Sequence, residues 1–294
     1  MSQFSLYLKR VIYIFCLLWL TTFSSQTKET VRTGLEYDFG PLQEKLVSEG
    51  FDEKKLAQIY RDGKINFDMK GVSLFFIHRE SNVNYNQYPK ALSITGAKLY
   101  MKIYDSELSK AEEKYGVDRE LITAIILVES KLGKTVGKWP VLNTLSTIAS
   151  LFDANIRNRL WEYVSGSTLF TLETFEKKAA RKSNWAYNEL KSLLIYAEKE
   201  KIDPLTIKGS YAGAIGIPQF IPSNIIRYAK DGNMDGRVDL SDHADAIASI
   251  ANFLNKSGWR KGITDKKARW VIRQYNPSSY YVNSILSVTA MLKG

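Results

Sequence analysis

Histidine and cysteine are almost missing from this chain of 294 residues: it has two histidines, His78 and His243, and one cysteine, Cys16. A zinc centre draws three or four nitrogen or sulfur ligands, and Ser–His–Asp or Cys–His catalysis needs a placed imidazole. Neither chemistry fits so sparse a set. What the chain does offer is carboxylates, hydroxyls, amides and 17 tyrosines. Hydrophobic residues at 45% and charged residues at 24% describe a globular chain, long enough to bury a core without a disulfide or structural metal. Lys and Arg outnumber Asp and Glu by 41 to 31. A basic protein outside the cytoplasm meets anionic polymers, so cell wall and membrane surface are expected partners rather than nucleic acid.

Long apolar runs are also scarce. The one at Val11–Leu20 follows Lys9 and Arg10 and precedes the small residues Ser24 and Ser25. A short positive region, a stretch too short to span a bilayer comfortably, and small residues after it predict a secretory signal peptide over 1–25. Its removal takes away two positive charges and the sole cysteine. No small residue precedes Cys16 in the way a lipoprotein signal requires, so the expected destination is the periplasm or envelope without a lipid anchor. Residues 26–33 are polar and read as a linker, leaving 34–294 as one continuous domain.

Within that domain the periodicity predicts a mainly helical fold, α+β at most. Helices are expected over Phe39–Glu49 and Asp52–Arg61, and as one long element over Leu92–Tyr115. A further helix, capped by Asp118, is expected to run to Leu132 and stop at Gly133. Gly71–Ile77 is apolar and reads as a short strand or buried loop. Further helical patterns cover 142–152, 155–164, 168–180 and 184–201.

Three segments carry chemistry. In Leu121–Gly133, Glu129 follows an apolar run, and Ile126, Ile125 and Ile122 share its helical face. A carboxyl in such surroundings is poorly solvated when ionised, which raises its pKa toward what a general acid needs. A glutamate reaching solvent or Lys131 suits the same pattern. In Gly209–Ser223, glycines at 209, 213 and 216 allow close backbone approach, and Ser210, Tyr211 and Gln219 suit a hydroxyl-rich ligand. A tight loop followed by a packed helix suits them equally. In Gln274–Tyr281, Tyr275 and Tyr281 could stack on sugar faces with Asn276 hydrogen-bonding, or simply decorate a surface.

The order Glu-Ser-x-x-Gly, Gly-x-x-Gln, Tyr-Asn resembles the lysozyme-like lytic transglycosylases. From Leu99 to Gly262 the chain resembles more closely the lytic murein transglycosylase B family. The likeness rests on Tyr115-Gly116-Val117, Ile126–Gly133, Ser210–Gly216, Gln219-Phe220, Pro222-Ser223, Asp245–Ile247, Ser249–Phe253 and Gly258-Trp259, and resumes over Ile272–Tyr281. It implies a lysozyme-like helical catalytic domain. It also implies cleavage of the β-1,4 bond between N-acetylmuramic acid and N-acetylglucosamine, with a 1,6-anhydro product and no catalytic cofactor. Glu129 matches the family's acid/base; Ser210, Gln219, Tyr275, Asn276 and Tyr281 match positions lining the glycan cleft. Leu132 departs from the usual aromatic residue, Ile217-Pro218 replaces a Tyr-Gly pair, and the stretch from Trp259 to Ile272 lacks a longer insertion. A water-using muramidase and a non-catalytic wall-binding module are the rival readings. The expected partners are glycan strands and wall-enzyme complexes, with the chain itself a monomer.

Asp231–Asp242 fits the calcium-loop pattern, with oxygen donors Asp231, Asn233 and Asp235 at positions 1, 3 and 5, Gly236 at 6, Arg237 at the main-chain carbonyl position and Val238 at 8. Position 12 holds the short Asp242 instead of glutamate, and Asp245 could close the cage. An EF-hand-like loop with a structural Ca²⁺ (or Na⁺) is therefore expected, against an Asx/Gly turn without an ion. His243 is expected to cap or lie at the surface.

Overall fold

The structure, a computed structural model, describes residues 38–77, 84–168 and 171–294. The expected signal peptide, the linker, Cys16 and His78 lie outside the described residues.

The described residues open with α1 (Gly40–Ser48) and α2 (Glu53–Tyr60), the latter started by Asp52, whose carboxylate accepts from Lys55 N. Next comes α3 (Met69–Ile77), so the apolar segment expected as a strand or loop is a helix. A short apolar run looks alike in strand and buried helix. Here Asp68 decides, because its Oδ1 accepts Gly71 N at 2.8 Å and starts the first turn. Met69, Val72 and Phe76 are then buried.

The single helix expected over Leu92–Tyr115 is instead two, α4 (Ala91–Ile103) and α5 (Asp105–Tyr115), broken at Tyr104 with ψ of 33°. Arg119 holds the break by donating to the Met101 carbonyl at 3.3 Å and to Asp105 at 2.6 Å. The Tyr104 ring stacks on His243, centroids 4.4 Å apart.

The central element is α6 (Arg119–Ser130). Every residue from Leu121 to Val128 is buried. A helix apolar all round must be enclosed, and α4, α5 and the terminal α13 (Ser279–Lys293) pack round it. Each buried Leu, Ile or Val there contributes about 1.5–3 kcal/mol. Asp118 sits at the N-cap position, but its side chain makes no capping bond. It accepts instead from Trp259 Nε1 at 3.0 Å and Lys293 Nζ at 2.8 Å, tying three segments together.

Strand β1 (Trp139–Pro140) leads into α7 (Val141–Ala149) and α8 (Ala154–Val164). The patterns expected as separate helices over 168–180 and 184–201 merge in α9 (Leu172–Glu200). No glycine or proline interrupts the junction, and Ser183 is accommodated by donating its hydroxyl to the Ala149 carbonyl at 2.5 Å. β2 (Lys208–Gly209) pairs antiparallel with β1, Trp139 opposite Gly209. The chain closes through α10 (Pro222–Tyr228), α11 (His243–Lys256), α12 (Asp265–Tyr275) and α13. The mainly helical expectation holds.

Candidate active site

Glu129 stands one residue before the end of α6, half-buried, at the edge of its otherwise enclosed helix. Beyond it the chain turns sharply through three consecutive left-handed residues, Lys131 (φ 51°), Leu132 (φ 63°) and Gly133 (φ 83°). The turn is held because Lys131 N donates to Leu127 O, Leu132 N to Ile126 O, and Gly133 N to Ser130 Oγ. Helix α6 thus ends at Ser130, short of the expected Leu132. Gly133 has a second reason to lack a side chain: a Cβ there would lie 2.8 Å from His243 Cε1.

His243 is not simply a cap or surface residue. It is half-buried at the start of α11, and its Nδ1 lies 2.9 Å from the Tyr100 hydroxyl. Burial raises the Tyr100 pKa far above the usual tyrosine value and lowers that of His243. A neutral hydroxyl and a neutral imidazole thus share this hydrogen bond, with the ring tautomer setting which of them donates.

Helix α13 carries Tyr281 to Glu129. The Tyr281 hydroxyl donates to Glu129 Oε1 at 2.7 Å. Burial first, and then the negative charge of Glu129, push Tyr281 ionisation well above the usual value. The hydroxyl thus remains a donor throughout any working pH range. Tyr275 stacks nearly parallel to Tyr281, centroids 6.4 Å apart, but its own hydroxyl donates to the Pro218 carbonyl at 2.5 Å. That bond makes Tyr275 a brace between α12 and the glycine-rich loop.

The loop itself is a stack of close backbone passes. Gly209 bridges Ile215, and Ile215 bridges Phe220 across a tight turn. At Gly137, opposite, a Cβ would fall 2.1 Å from the Gly209 carbonyl carbon. Ser210 Oγ accepts from Ala212 N and Ala214 N, leaving its proton to donate. Gln219 adopts φ of 50° and donates its amide to the carbonyls of Val136 (3.1 Å) and Gly216 (2.8 Å). Its carbonyl oxygen stays available to accept. Asn276 Oδ1 accepts Ser278 N, which leaves its amide hydrogens available to a ligand. Tyr211 is half-buried on the same loop.

Two tyrosines escaped the sequence reading. Tyr88 is buried, and its ionisation is pushed up by that burial and by the charge of Glu129. Tyr85 meets the Tyr281 ring edge-on at 6.1 Å. Both lie on a short 3₁₀ turn, Tyr85–Gln87 with Tyr88 following, whose sequence carries no periodic signal.

The loop following α10 is built on side-chain-to-backbone bonds. Asp231 accepts from Met234, Asp235 and Gly236 N; Asp235 accepts from Arg237 N. Asp242 caps α11, its Oδ1 accepting from both Ala244 and Asp245 N. Asp245 is buried, and both its oxygens accept backbone N–H groups, from Gly232 and Asn233 on one and Asp239 on the other. Burial pushes its pKa up. The three-carboxylate cluster found among the described residues lies elsewhere, at Glu112, Asp118 and Glu120. The side-chain donors of the loop, Asp231, Asn233 and Asp235, are all oxygen donors. No Lys or Arg pairs with Asp231, Asp235 or Asp239 among the described residues.

Comparison with known proteins bears on the family and the fold. "Membrane-bound lytic murein transglycosylase B" of Escherichia coli K12 is 37% identical over 159 residues, which is 54% of this chain and 37% of that protein. The chain thus matches little more than a third of that relative's length. The fold is shared with Escherichia coli lytic transglycosylase Slt35 solved in complex with calcium (TM-score 0.67, 22% identity, 87% of this chain and 92% of that one). It is shared also with SltB3 from Pseudomonas aeruginosa solved with NAG-anhNAM-pentapeptide (TM-score 0.69, 18% identity, 87% and 80%). Residues 36–268 match the family model described as the transglycosylase SLT domain, and the chain therefore belongs to that family.

Proposed function

We propose that the protein is a peptidoglycan lytic transglycosylase in which Glu129 is the single acid/base. The observation that carries this reading is the Tyr281–Glu129 hydrogen bond at the end of the buried α6. Tyr281 donates to Oε1 whether the carboxyl is ionised or neutral, which keeps the carboxyl oriented as it gives up and regains the working proton. Glu129 gives that proton to the glycosidic oxygen as the C1–O bond breaks. As carboxylate it then takes the proton of the muramoyl C6 hydroxyl, whose oxygen bonds to C1 and closes a 1,6-anhydro ring. No water enters and one carboxyl suffices, whereas a hydrolytic glycosidase pairs two. The negative charge of Glu129 is one cause of the raised ionisation of Tyr88, Tyr275 and Tyr281, so neutral hydroxyls face the carboxyl.

Ser210 through its hydroxyl, Gln219 through its carbonyl oxygen, Asn276 through its amide and Tyr211 through its ring and hydroxyl supply neutral contacts for sugar hydroxyls. The relative's name refers to murein and the SltB3 structure holds a glycan-peptide, which supports glycan strands as the substrate. The named relative is membrane-bound, which supports work at the envelope. No helix among the described residues is long and apolar enough to cross a membrane.

The loop after α10 would hold a structural Ca²⁺ through Asp231, Asn233, Asp235 and the Arg237 carbonyl. Asp245 would close it from behind by its three backbone hydrogen bonds. The ion would supply charge neutralisation for the unpaired acids of the loop and takes no part in the reaction.

Digestion of purified peptidoglycan followed by mass analysis tests the reading. Muropeptides one water lighter than hydrolysis products, without a reducing end, are expected from the native chain. Glu129→Gln keeps the shape of the side chain but cannot deliver a proton, so a loss of about 10²–10⁴-fold or more is expected with folding intact. Only hydrated, reducing products would replace the reading with a muramidase. Half the native rate from Glu129→Gln would place the acid elsewhere.

A further inference from the structure

Non-glycine residues hold left-handed angles only where their surroundings over-determine them, and Lys131 and Leu132 do so immediately beyond Glu129. The N–H groups of Lys131, Leu132 and Gly133 all bond back to α6, which ties the turn to its own helix. Packing on Gly133 ties it to the rest of the molecule. A Cβ on Gly133 would meet His243 Cε1 at 2.8 Å and Nε2 at 3.2 Å, so the edge of the imidazole lies directly against the glycine. Ile217 Cδ1 would lie 3.5 Å from the same point.

The imidazole is itself braced. The Tyr100 hydroxyl lies 2.9 Å from Nδ1, and the Tyr104 ring stacks on the imidazole with centroids 4.4 Å apart. Tyr100 is buried, which anchors the brace in the core. Asp242 caps α11 and so fixes the backbone from which the ring projects. The same segment grips the glycine-rich loop. Leu240 O accepts Ile217 N at 2.8 Å, and a Cβ on Gly216 would fall 2.5 Å from Leu240 Cβ. Residues 240–243 therefore touch both the turn that follows Glu129 and the loop that carries Gln219.

We propose that His243 is a positioning residue for the reaction: its ring, braced by Tyr100 and Tyr104, wedges the turn at Gly133 and so holds Glu129 against the Tyr281 hydroxyl. The proposal rests on the transglycosylase reading and deepens it. His243 handles no proton of the reaction and acts through Glu129. Gly133 stands one helical turn beyond Glu129, so a shift of the glycine passes directly to the carboxyl, and a misplacement of about 1 Å at a reacting group can cost about 10²-fold.

The test measures kcat, KM and the pH–rate profile for release of anhydro products from peptidoglycan, at a temperature where circular dichroism shows every variant folded. His243→Ala should lower kcat about 10- to 100-fold and leave KM within about twofold. The limb governed by Glu129 should move to higher pH, because a carboxylate drawn away from Tyr281 loses a donor to its ionised form. Tyr100→Phe keeps both rings and removes only their hydrogen bond, so it should move kcat and the limb in the same direction by less. With Tyr281→Phe already in place, His243→Ala should move the limb no further, since the two changes break the same contact. A kcat within twofold of native and an unmoved limb in His243→Ala would make the ring a packing group and overturn the proposal. A limb that moves equally with and without the Tyr281 hydroxyl would overturn it as well, and either result would leave the transglycosylase reading intact. A native protein that releases no anhydro products would overturn both.

Discussion

Removal of the Tyr281 hydroxyl is the sharpest probe of the proposed acid/base. Tyr281→Phe leaves the ring, which is 1% exposed and packed parallel to Tyr275 and edge-on to Tyr85, so the core it fills is preserved. What disappears is one donor at 2.7 Å from Glu129 Oε1. A hydrogen bond to a charged acceptor is worth about 1.5–3 kcal/mol, which as lost transition-state stabilisation is a rate loss of about 10- to 150-fold. The loss should fall on kcat with KM little changed, because Tyr281 orients the carboxyl instead of gripping the sugar. Conformational stability should change by no more than about 1.5 kcal/mol, since half-buried Glu129 can take a water in exchange. A second signature separates positioning from packing. A donor to a carboxylate favours its ionised form, so the pH–rate limb governed by Glu129 should move to higher pH in the variant. The assay is the initial rate of anhydro-product release from peptidoglycan across pH, beside a denaturant melt. A rate within twofold of native, with the profile unmoved, would refute the assignment of Tyr281 as the residue that holds the acid.

Calcium at a hundredfold excess over its Kd should stabilise the fold by about 2.7 kcal/mol. At this chain length that is a Tm rise of roughly 5–10 °C, which Asp235→Ala should abolish; equal melting curves in chelator and in calcium would leave the loop an ion-free turn. Gly133→Ala forces a side chain onto φ of 83° and into His243, so a loss of about 1–3 kcal/mol in a denaturant melt is expected. Shortening His243 to Ala in the same chain should recover only the contact part of that loss. His243 has a pKa lowered from 6.5 by burial, so between its folded value and 6.5 the unfolded chain binds more protons and stability falls as pH falls. The slope cannot exceed about 1.4 kcal/mol per pH unit. His243→Asn should flatten it, and a native slope that survives that change would assign the titration to another group.

What the sequence made legible was chemistry carried by residue type and helical spacing. Glu129 could be placed because the apolar residues before it are buried whichever way the helix turns, and Tyr281 because an aromatic cluster follows a polar turn. Long-range decisions were not legible. Leu92–Tyr115 reads as one amphipathic run, and only Arg119, reaching back to the Met101 carbonyl, makes a break at Tyr104 favourable. Polar residues at 181–184 suggest a gap between helices, yet the Ala149 carbonyl supplies the partner that lets Ser183 be buried mid-helix. Asp118 carries a helix-start signal that Trp259 and Lys293, far along the chain, redirect to bracing. Asp242 likewise fits an ion loop by count and a helix cap by contact. For Tyr104, Ser183 and Asp118 the deciding partner lies outside the local segment, from 18 residues away for Arg119 and Met101 to 175 for Asp118 and Lys293.

Backbone strain points to the same place as the side-chain chemistry, and it has no signature in the sequence. Five non-glycine residues among those described take positive φ: Lys131, Leu132, Lys201, Gln219 and Met234. Lys201 is an ordinary helix terminus, closing α9 with its N–H on Ala197 and Glu198. The others lie where function is proposed. Lys131 and Leu132 turn the chain immediately beyond Glu129, Gln219 stands at the glycine-rich loop, and Met234 lies in the cation loop. Each such residue costs about 1–3 kcal/mol and persists only where its surroundings over-determine it. At Gln219 the surroundings are two hydrogen bonds from its own amide, which hold the backbone in the strained state and aim the carbonyl oxygen outward as one act. A glycine would adopt that φ without strain and a β-branched residue would resist it, but neither could make those bonds. The residue type at 219 is therefore set by the ligand-facing oxygen and its anchoring amide together, while the turn alone would have been better served by glycine.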